Sequence, residues 1–294
     1  MATHHGERMI KGNRIEICTD SFGDPAEPTI LLVMGAGGSM LSWDDEFCQR
    51  LADNGRFVIR YDNRDTGKTT PLCPPGEPDY TLVDLADDAV AVLDAYQIDQ
   101  AHFVGVSMGG MIVQLIGLNH PERVLTLTPI MSTPQVGVVT DAFAGKDVTE
   151  LSPPHPKVLE LVVRRGQFDW TDRDAVIKNQ VESFTLIKGS AYPADPSMAE
   201  SIARDFDRAI NYASSVNHTP AMAQSEPWHE RLGEISVPTL VIHGDEDPIL
   251  PYDHGQALHA AISGSTLLTM EGVGHELPRG VWDTVIPAIL EHTG

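Results

Sequence analysis

Residues 101–118 read Ala-His-Phe-Val-Gly-Val-Ser-Met-Gly-Gly-Met-Ile-Val-Gln-Leu-Ile-Gly-Leu. The first six form a short apolar run of the kind found in a strand buried on both faces. From Met108 onward the run is long enough for a helix and stops short of Pro121. Between the two stands Gly105-Val106-Ser107-Met108-Gly109, a G-x-S-x-G pentapeptide. Alone it is a weak signal, since ordinary glycine and serine usage produces it by chance in about one chain in ten of this length. The strand–turn–helix context strengthens it. Glycines permit a sharp turn that lifts the Ser107 hydroxyl clear of a sheet, and the helix N-terminus offers N–H groups and a positive dipole to a developing oxyanion. Without that context Ser107 would be an ordinary turn residue.

The same alternation continues on both sides. Strands are predicted at Arg14–Thr19, Thr29–Met34, Phe57–Tyr61, Ala101–Val106, Val124–Ile130, Thr239–His243 and Ser265–Met270. Helices are predicted at Leu82–Tyr96, with Val83, Ala86, Val90 and Leu93 on one stripe, at Met108–Asn119, and at about Val281–His292. This is the pattern of an α/β protein with a mostly parallel sheet covered by helices. From Met131 to about Leu232 the strand rhythm stops, prolines are frequent and apolar residues fall at helical spacing. The expected organisation is a core over 1–132, a helical cap over 133–232 and the rest of the core over 233–294. Pro71–Pro78 reads as a surface loop.

The 294 residues carry a net charge of −22, and 41% of them are hydrophobic. This is globular composition. Its acidity excludes a nucleic-acid binder, which needs Lys/Arg clusters for phosphates, and equally disfavours anionic membranes. Cys18, Cys48 and Cys73 are too few and odd in number for a disulfide framework. No signal-peptide pattern and no apolar run approaching ~18 residues is present, so the cytoplasm is the default location.

A serine nucleophile needs a base and an orienting carboxylate, in chain order Ser…Asp…His for this type of turn. Asp245, Glu246 and Asp247 follow the strand Leu240–His243, and His275 sits in a glycine-bracketed loop after the next strand. Both loops fall where open α/β sheets bind ligands. Asp247 is preferred because Pro248 stiffens its peptide, while Asp245 and Glu246 remain competitors as turn-shaping acids. Gly35-x-Gly37 is not a dinucleotide fingerprint, because Met40 occupies the place of its third glycine. Gly67-Lys68-Thr69 is not a Walker A end, because Asp62 stands where the first glycine belongs. No histidine spacing suggests a metal, and no metal or cofactor is expected. His243 reads as a satisfied core residue, and His102, His120, His254 and His259 as surface or helix-end residues. Ser39 and Ser42 read as helix caps rather than nucleophiles.

Over nearly its whole length the chain resembles α/β-hydrolase-fold serine hydrolases, in particular the aclacinomycin methylesterase-like branch. The segments that carry the likeness are FGDPA (22–26), LLVMG (31–35), FVIRYDNRDTGKTT (57–70), VGVSMGG (104–110) and VPTLVIHGDEDPILP (237–251). The resemblance implies Ser107 as nucleophile, His275 as general base and then acid, and Asp247 as the orienting carboxylate. The family pattern G-x-x-D-x-x-x-P falls on Gly244, Asp247 and Pro251. It also implies an oxyanion hole made by the backbone N–H of Met108 and of Ala36, with Gly35 or Gly37 as alternatives one residue away. Met34 departs from the family, standing where many members carry histidine. Asp62 and Arg64 are expected to hold loops together.

The chemistry expected is acyl transfer to water through an acyl-enzyme on a hydrophobic small-molecule ester or lactone. Simple esters, polyketide methyl esters, pyrethroid-type esters and N-acyl homoserine lactones all fit the branch. The alternatives are a cofactor-free perhydrolase or haloperoxidase, which uses peroxide in place of water, and a non-catalytic small-molecule binder of the same fold. Met34, Gly35, Met131, Trp170, Phe184 and Tyr212 are candidate substrate-binding residues. Each competes with plain core packing, as do Met40, Met108, Met111, Phe143, Phe168, Tyr192, Phe206, Met222 and Trp228.

Overall fold

A computed structural model describes residues 1–12, 14–165 and 168–294. The strands are β1 (Arg8–Lys11), β2 (Glu16–Phe22), β3 (Thr29–Val33), β4 (Phe57–Tyr61), β5 (Ala101–Val106), β6 (Val124–Ile130), β7 (Leu240–Gly244) and β8 (Thr266–Met270). The helices are α1 (Asp45–Asp53), α2 (Leu82–Tyr96), α3 (Met108–Asn119), α4 (Val136–Phe143), α5 (Pro156–Arg165), α6 (Arg173–Ile187), α7 (Met198–Arg208), α8 (His218–Gln224), α9 (Tyr252–Ala261) and α10 (Trp282–His292). One sheet runs in the order β1-β2-β4-β3-β5-β6-β7-β8. β1 and β2 pair antiparallel at one side, and the pairs from β4 to β8 are parallel.

Strand order reverses between β3 and β5: the chain steps from β3 to β4 on one side, then to β5 on the other. In open α/β sheets the crevice beyond the carboxyl ends at such a reversal is where ligands bind. The continuous apolar strands reflect burial on both faces. Leu31, Val33, Ile59 and Phe103 pack with α2 and α3, whereas Ile30, Leu32, Val58 and Val104 belong to the opposite core with Phe47 of α1 and Trp282 of α10. Each such side chain stabilises the fold by about 1.5–3 kcal/mol.

The structure departs from sequence expectation in several places. β2 extends to Phe22 because Asp20 and Ser21, polar enough to read as a strand end, are buried within it; Asp20 pairs with Arg60 at 2.7 Å. β1 is short, charged and at the sheet edge, a form that blunts edge pairing and conceals the strand from periodicity. In α2, Val83 is 41% exposed, while Ala86, Val90 and Leu93 of the expected stripe are buried and are joined by Leu82, Leu85, Ala89 and Val92. His102 and His254, expected at the surface, are buried. His102 meets Thr126 Oγ1 at 3.0 Å, and burial lowers its pKa to about 4. His254 is held between Thr133 Oγ1 (2.8 Å) and the Ser152 carbonyl (2.9 Å).

Between β6 and β7 no strand occurs among the described residues; α4 to α8 and two 3₁₀ turns fill the interval. No helix is long and apolar enough to cross a membrane among the described residues.

Candidate active site

Ser107 caps α3 directly after β5 with φ 56° and ψ −118°, a left-handed conformation that costs a non-glycine residue about 1–3 kcal/mol. Its neighbours explain how the turn is tolerated. A Cβ on Gly105 would lie 2.2 Å from the Gly109 carbonyl oxygen, and one on Gly109 would lie 2.1 Å from that of Val33. Only glycine lets β5, α3 and the end of β3 close to this distance. The Ser107 N–H donates to the Ile130 carbonyl (2.9 Å), and its own carbonyl accepts from Ser132 Oγ (3.0 Å). Backbone bonds therefore over-determine the strained residue.

Asp247 follows β7 and is 5% exposed. Its Oδ1 accepts the N–H groups of Ile249 and Leu250, both at 2.8 Å, and its Oδ2 accepts from His275 Nδ1 at 2.7 Å. A carboxylate in that position puts the imidazole proton on Nδ1 and leaves Nε2 as the ring's acceptor. The competing acids turn elsewhere: Asp245 Oδ1 accepts from the Gly272 N–H (2.7 Å), and Glu246 accepts from Ser190 N–H and Oγ (both 2.7 Å). His243 is fully buried with Nε2 donating to the Leu250 carbonyl (2.8 Å), so it helps shape the Asp247 turn. Its Nδ1 has no partner among the described residues, which makes it only half satisfied, contrary to expectation.

Ser107, Asp247 and His275 follow three parallel strands and share the carboxyl edge of the sheet, and the loop 34–38 after β3 borders them. Gly35 faces Ser107: a Cβ there would lie 3.1 Å from the Ser107 Cβ. Gly38 N–H closes the turn on the Gly35 carbonyl (3.3 Å), and Asn63 Nδ2 holds the Met34 carbonyl (2.9 Å). The N–H of Ala36, an exposed residue, and that of Met108, at the α3 N-terminus, have no hydrogen-bond partner among the described residues. The Gly37 N–H is taken by His218 Nδ1.

Asp62 and Arg64 hold loops as expected. Asp62 accepts the N–H groups of Met40 and Lys68 (both 2.9 Å) and pairs with Arg208 of α7 (2.8 Å), while Arg64 pairs with Asp88 (2.9 Å). Among the substrate-binding candidates, Met34 is buried beside the loop and Met131 lies wholly in the core, its N–H on the Ile242 carbonyl (2.8 Å). Trp170 and Tyr212 join one aromatic cluster with Phe168 and Phe206; Phe206 and Tyr212 have ring centroids 5.0 Å apart. Phe184 stands on α6, 39% exposed. Trp228 is core, its Nε1 donating to Gln114 of α3 at 3.0 Å. No cluster of side chains suited to a metal occurs among the described residues.

Two contacts had no signal in the sequence. One is His218. The other is the strap after α6, where the His275 N–H donates to the Ile187 carbonyl (2.8 Å) and the Ala191 N–H to that of Gly272 (2.9 Å). Both join residues far apart in the chain through backbone groups that every residue possesses.

A serine on a strained strand-to-helix turn, with a His–Asp pair on neighbouring loops at the same sheet edge, is the constellation of the α/β hydrolases. The chain belongs to the α/β hydrolase fold family, which it matches over residues 28–278. Within it the chain falls in the methylesterase-like branch. It is 36% identical to the rhodomycin D methylesterase DauP of Streptomyces sp. (strain C5), with 97% of each chain covered. In structure it resembles a hydrolase from Pseudomonas aeruginosa PA01, with a TM-score of 0.76, 22% identity and 99% of each chain covered. It also resembles Est816, an N-acyl homoserine lactone degrading enzyme, with a TM-score of 0.65, 25% identity and 91% of this chain and 93% of that one covered.

Proposed function

We propose that the protein is a carboxylic-ester hydrolase acting on hydrophobic small molecules, with Ser107 as nucleophile, His275 as base and Asp247 as its orienting partner. The observation that carries the proposal is the 2.7 Å His275 Nδ1–Asp247 Oδ2 bond, which leaves Nε2 free to take a proton at the sheet edge that bears Ser107. Ser107 Oγ bonds to the ester carbonyl carbon as its proton passes to His275 Nε2. The N–H groups of Met108 and Ala36, both unengaged, hold the oxyanion. The bond to the alcohol then breaks, the alcohol leaves with the proton from His275, and water repeats the two steps on the acyl-enzyme.

A methyl ester on a large apolar acid is the favoured substrate, given the identity to a methylesterase over 97% of the chain. Residues 133–232 form the cap in this proposal, with Met34, Gly35, Trp170 and Tyr212 bordering the acyl or alcohol group. A lactone is the second substrate class, favoured by the likeness to an N-acyl homoserine lactone degrading enzyme; its leaving alcohol stays tethered, and the steps are otherwise the same.

The test is a panel of p-nitrophenyl esters, polycyclic methyl esters and N-acyl homoserine lactones, run with wild type and Ser107→Ala. The alanine variant should lose about 10⁴-fold or more in kcat/KM. Wild-type turnover in that variant would overturn the mechanism, and preference for lactones over all methyl esters would overturn the substrate class.

A further inference from the structure

His218 opens α8, in the polypeptide between β6 and β7, and is fully buried between two loops of the sheet core. Its Nδ1 accepts the Gly37 N–H at 2.9 Å, and its Nε2 donates to the Arg64 carbonyl at 2.7 Å. These partners allow one assignment. A backbone N–H can only donate and a carbonyl can only accept, so the ring is neutral with its proton on Nε2. Burial lowers the pKa of this imidazole, in the same sense.

The preceding residue works beside it. Asn217, also buried, donates from Nδ2 to Asp65 Oδ2 (2.8 Å) and accepts the Gly76 N–H. Asn217 and His218 together tie three core loops to the start of α8. One of those loops is the tight turn 35–38. Gly35, at its start, lies against Ser107, and Gly37, the residue after Ala36, is the one His218 holds. With Gly37 engaged, the Ala36 N–H is the member of this peptide pair left to bind a ligand.

We propose that His218 is a positioning residue for ester hydrolysis: by holding the Gly37 amide it fixes the 35–38 turn and thereby the Ala36 N–H at the oxyanion. This rests on the oxyanion hole proposed above. The oxyanion gains more from a fixed donor than the ground-state carbonyl does, so loosening the turn lowers kcat and leaves KM nearly unchanged.

Two substitutions separate the two bonds of the ring. His218→Asn keeps an acceptor oxygen at the place of Nδ1 and loses the reach to Arg64. His218→Gln carries a donor out to the place of Nε2 and has no acceptor for Gly37. H218Q should lose about 10–100-fold in kcat, less than the 10²–10³ of deleting an oxyanion donor outright, with KM within about twofold. Inhibition by a trifluoromethyl ketone, which forms an anionic adduct on the serine, should weaken by the same factor as kcat. H218N should stay within about threefold of wild type in both measures. Hydrogen exchange at the Gly37 amide should quicken in H218Q and not in H218N. Wild-type kcat in H218Q, or equal losses in both variants that track their Tm, would overturn the proposal. Ser107→Ala in the same assay keeps the two failures apart. An inactive S107A beside a fully active H218Q sinks the role of His218 alone, whereas a fully active S107A sinks both readings.

Discussion

Helices α3 and α7 are nearly equal in length and opposite in how they are held. Every residue of α3 from Met108 to Leu118 is buried; its Gly109 admits the backbone of β3, and Gly105 of β5 admits the backbone of α3, at distances no side chain allows. On α7 Ile202 alone is buried to that degree, and the helix is fixed instead by Arg208, which pairs with Asp62 at 2.8 Å and Glu7 at 2.7 Å. α8 combines the two, with Ala221 and Met222 in the core and His218 held by polar bonds. Ser107 thus sits on an element secured by shape, and α7 is joined to the loops beside it by a few directional polar bonds. The first kind of attachment fails when volume changes; the second fails when one donor, acceptor or charge is lost.

The sharpest way to break this contrast is one methyl group. Gly109→Ala would place a Cβ 2.1 Å from the Val33 carbonyl oxygen and should cost more than about 4 kcal/mol, or yield no folded protein, read by chemical denaturation. Next in size is Arg208→Met, which strands the Asp62 carboxylate at 0% exposure. It should cost about 3 kcal/mol, part of which Asp62→Asn recovers in the double variant.

Asp205 gives a smaller effect with a pH signature. Burial, with a contribution from nearby Asp62, raises its carboxyl from 3.8 to about 6 against the lowering influence of Ser39, and its Oδ1 is buried without a hydrogen-bond partner among the described residues. Between those values the native state holds a proton that the unfolded chain has released, so stability from this group is complete below about pH 3.8 and is lost as pH rises through about 6. Asp205→Asn should therefore match wild type near pH 4 and exceed it by on the order of 2 kcal/mol at pH 8, measured by denaturant titration at both pH values. A constant difference across pH would refute the assignment.

The smallest effect has the opposite sign to the first. Gly137 is exposed in α4, and a Cβ there meets nothing within 4 Å. Gly137→Ala should stabilise by about 0.5–1 kcal/mol in the same denaturation assay. Destabilisation by both alanines would erase the distinction between the two regions.

What the sequence disclosed follows the same division. The β5–Ser107–α3 turn was legible because its signals are local: an apolar run, two glycines and a helix-length segment. The bounds of α2 and the loops carrying Asp247 and His275 were legible for the same reason. Asp20 misled because its burial depends on Arg60, forty residues away. His102 and His254 misled because polar partners arrive from other strands and loops. Nothing near His218 marks it, since Gly37 lies 181 residues earlier in the chain. The sequence spells out groups that act through their own segment, and it is silent about those defined by a distant backbone atom.

The seam between β6 and β7 has a consequence during synthesis. These strands pair at Ile130 and Ile242, with one further bridge between Leu127 and Thr239. A ribosome completes β6 roughly 110 residues before β7, and at about 5–20 residues per second that leaves the edge of a parallel sheet without its neighbour for roughly 6–20 s. An open edge of this kind is a template for pairing with another nascent chain. α4 to α8 are what the ribosome delivers during that wait. The excursion between β6 and β7 is therefore also the part of the chain at hand to shield the half-built sheet.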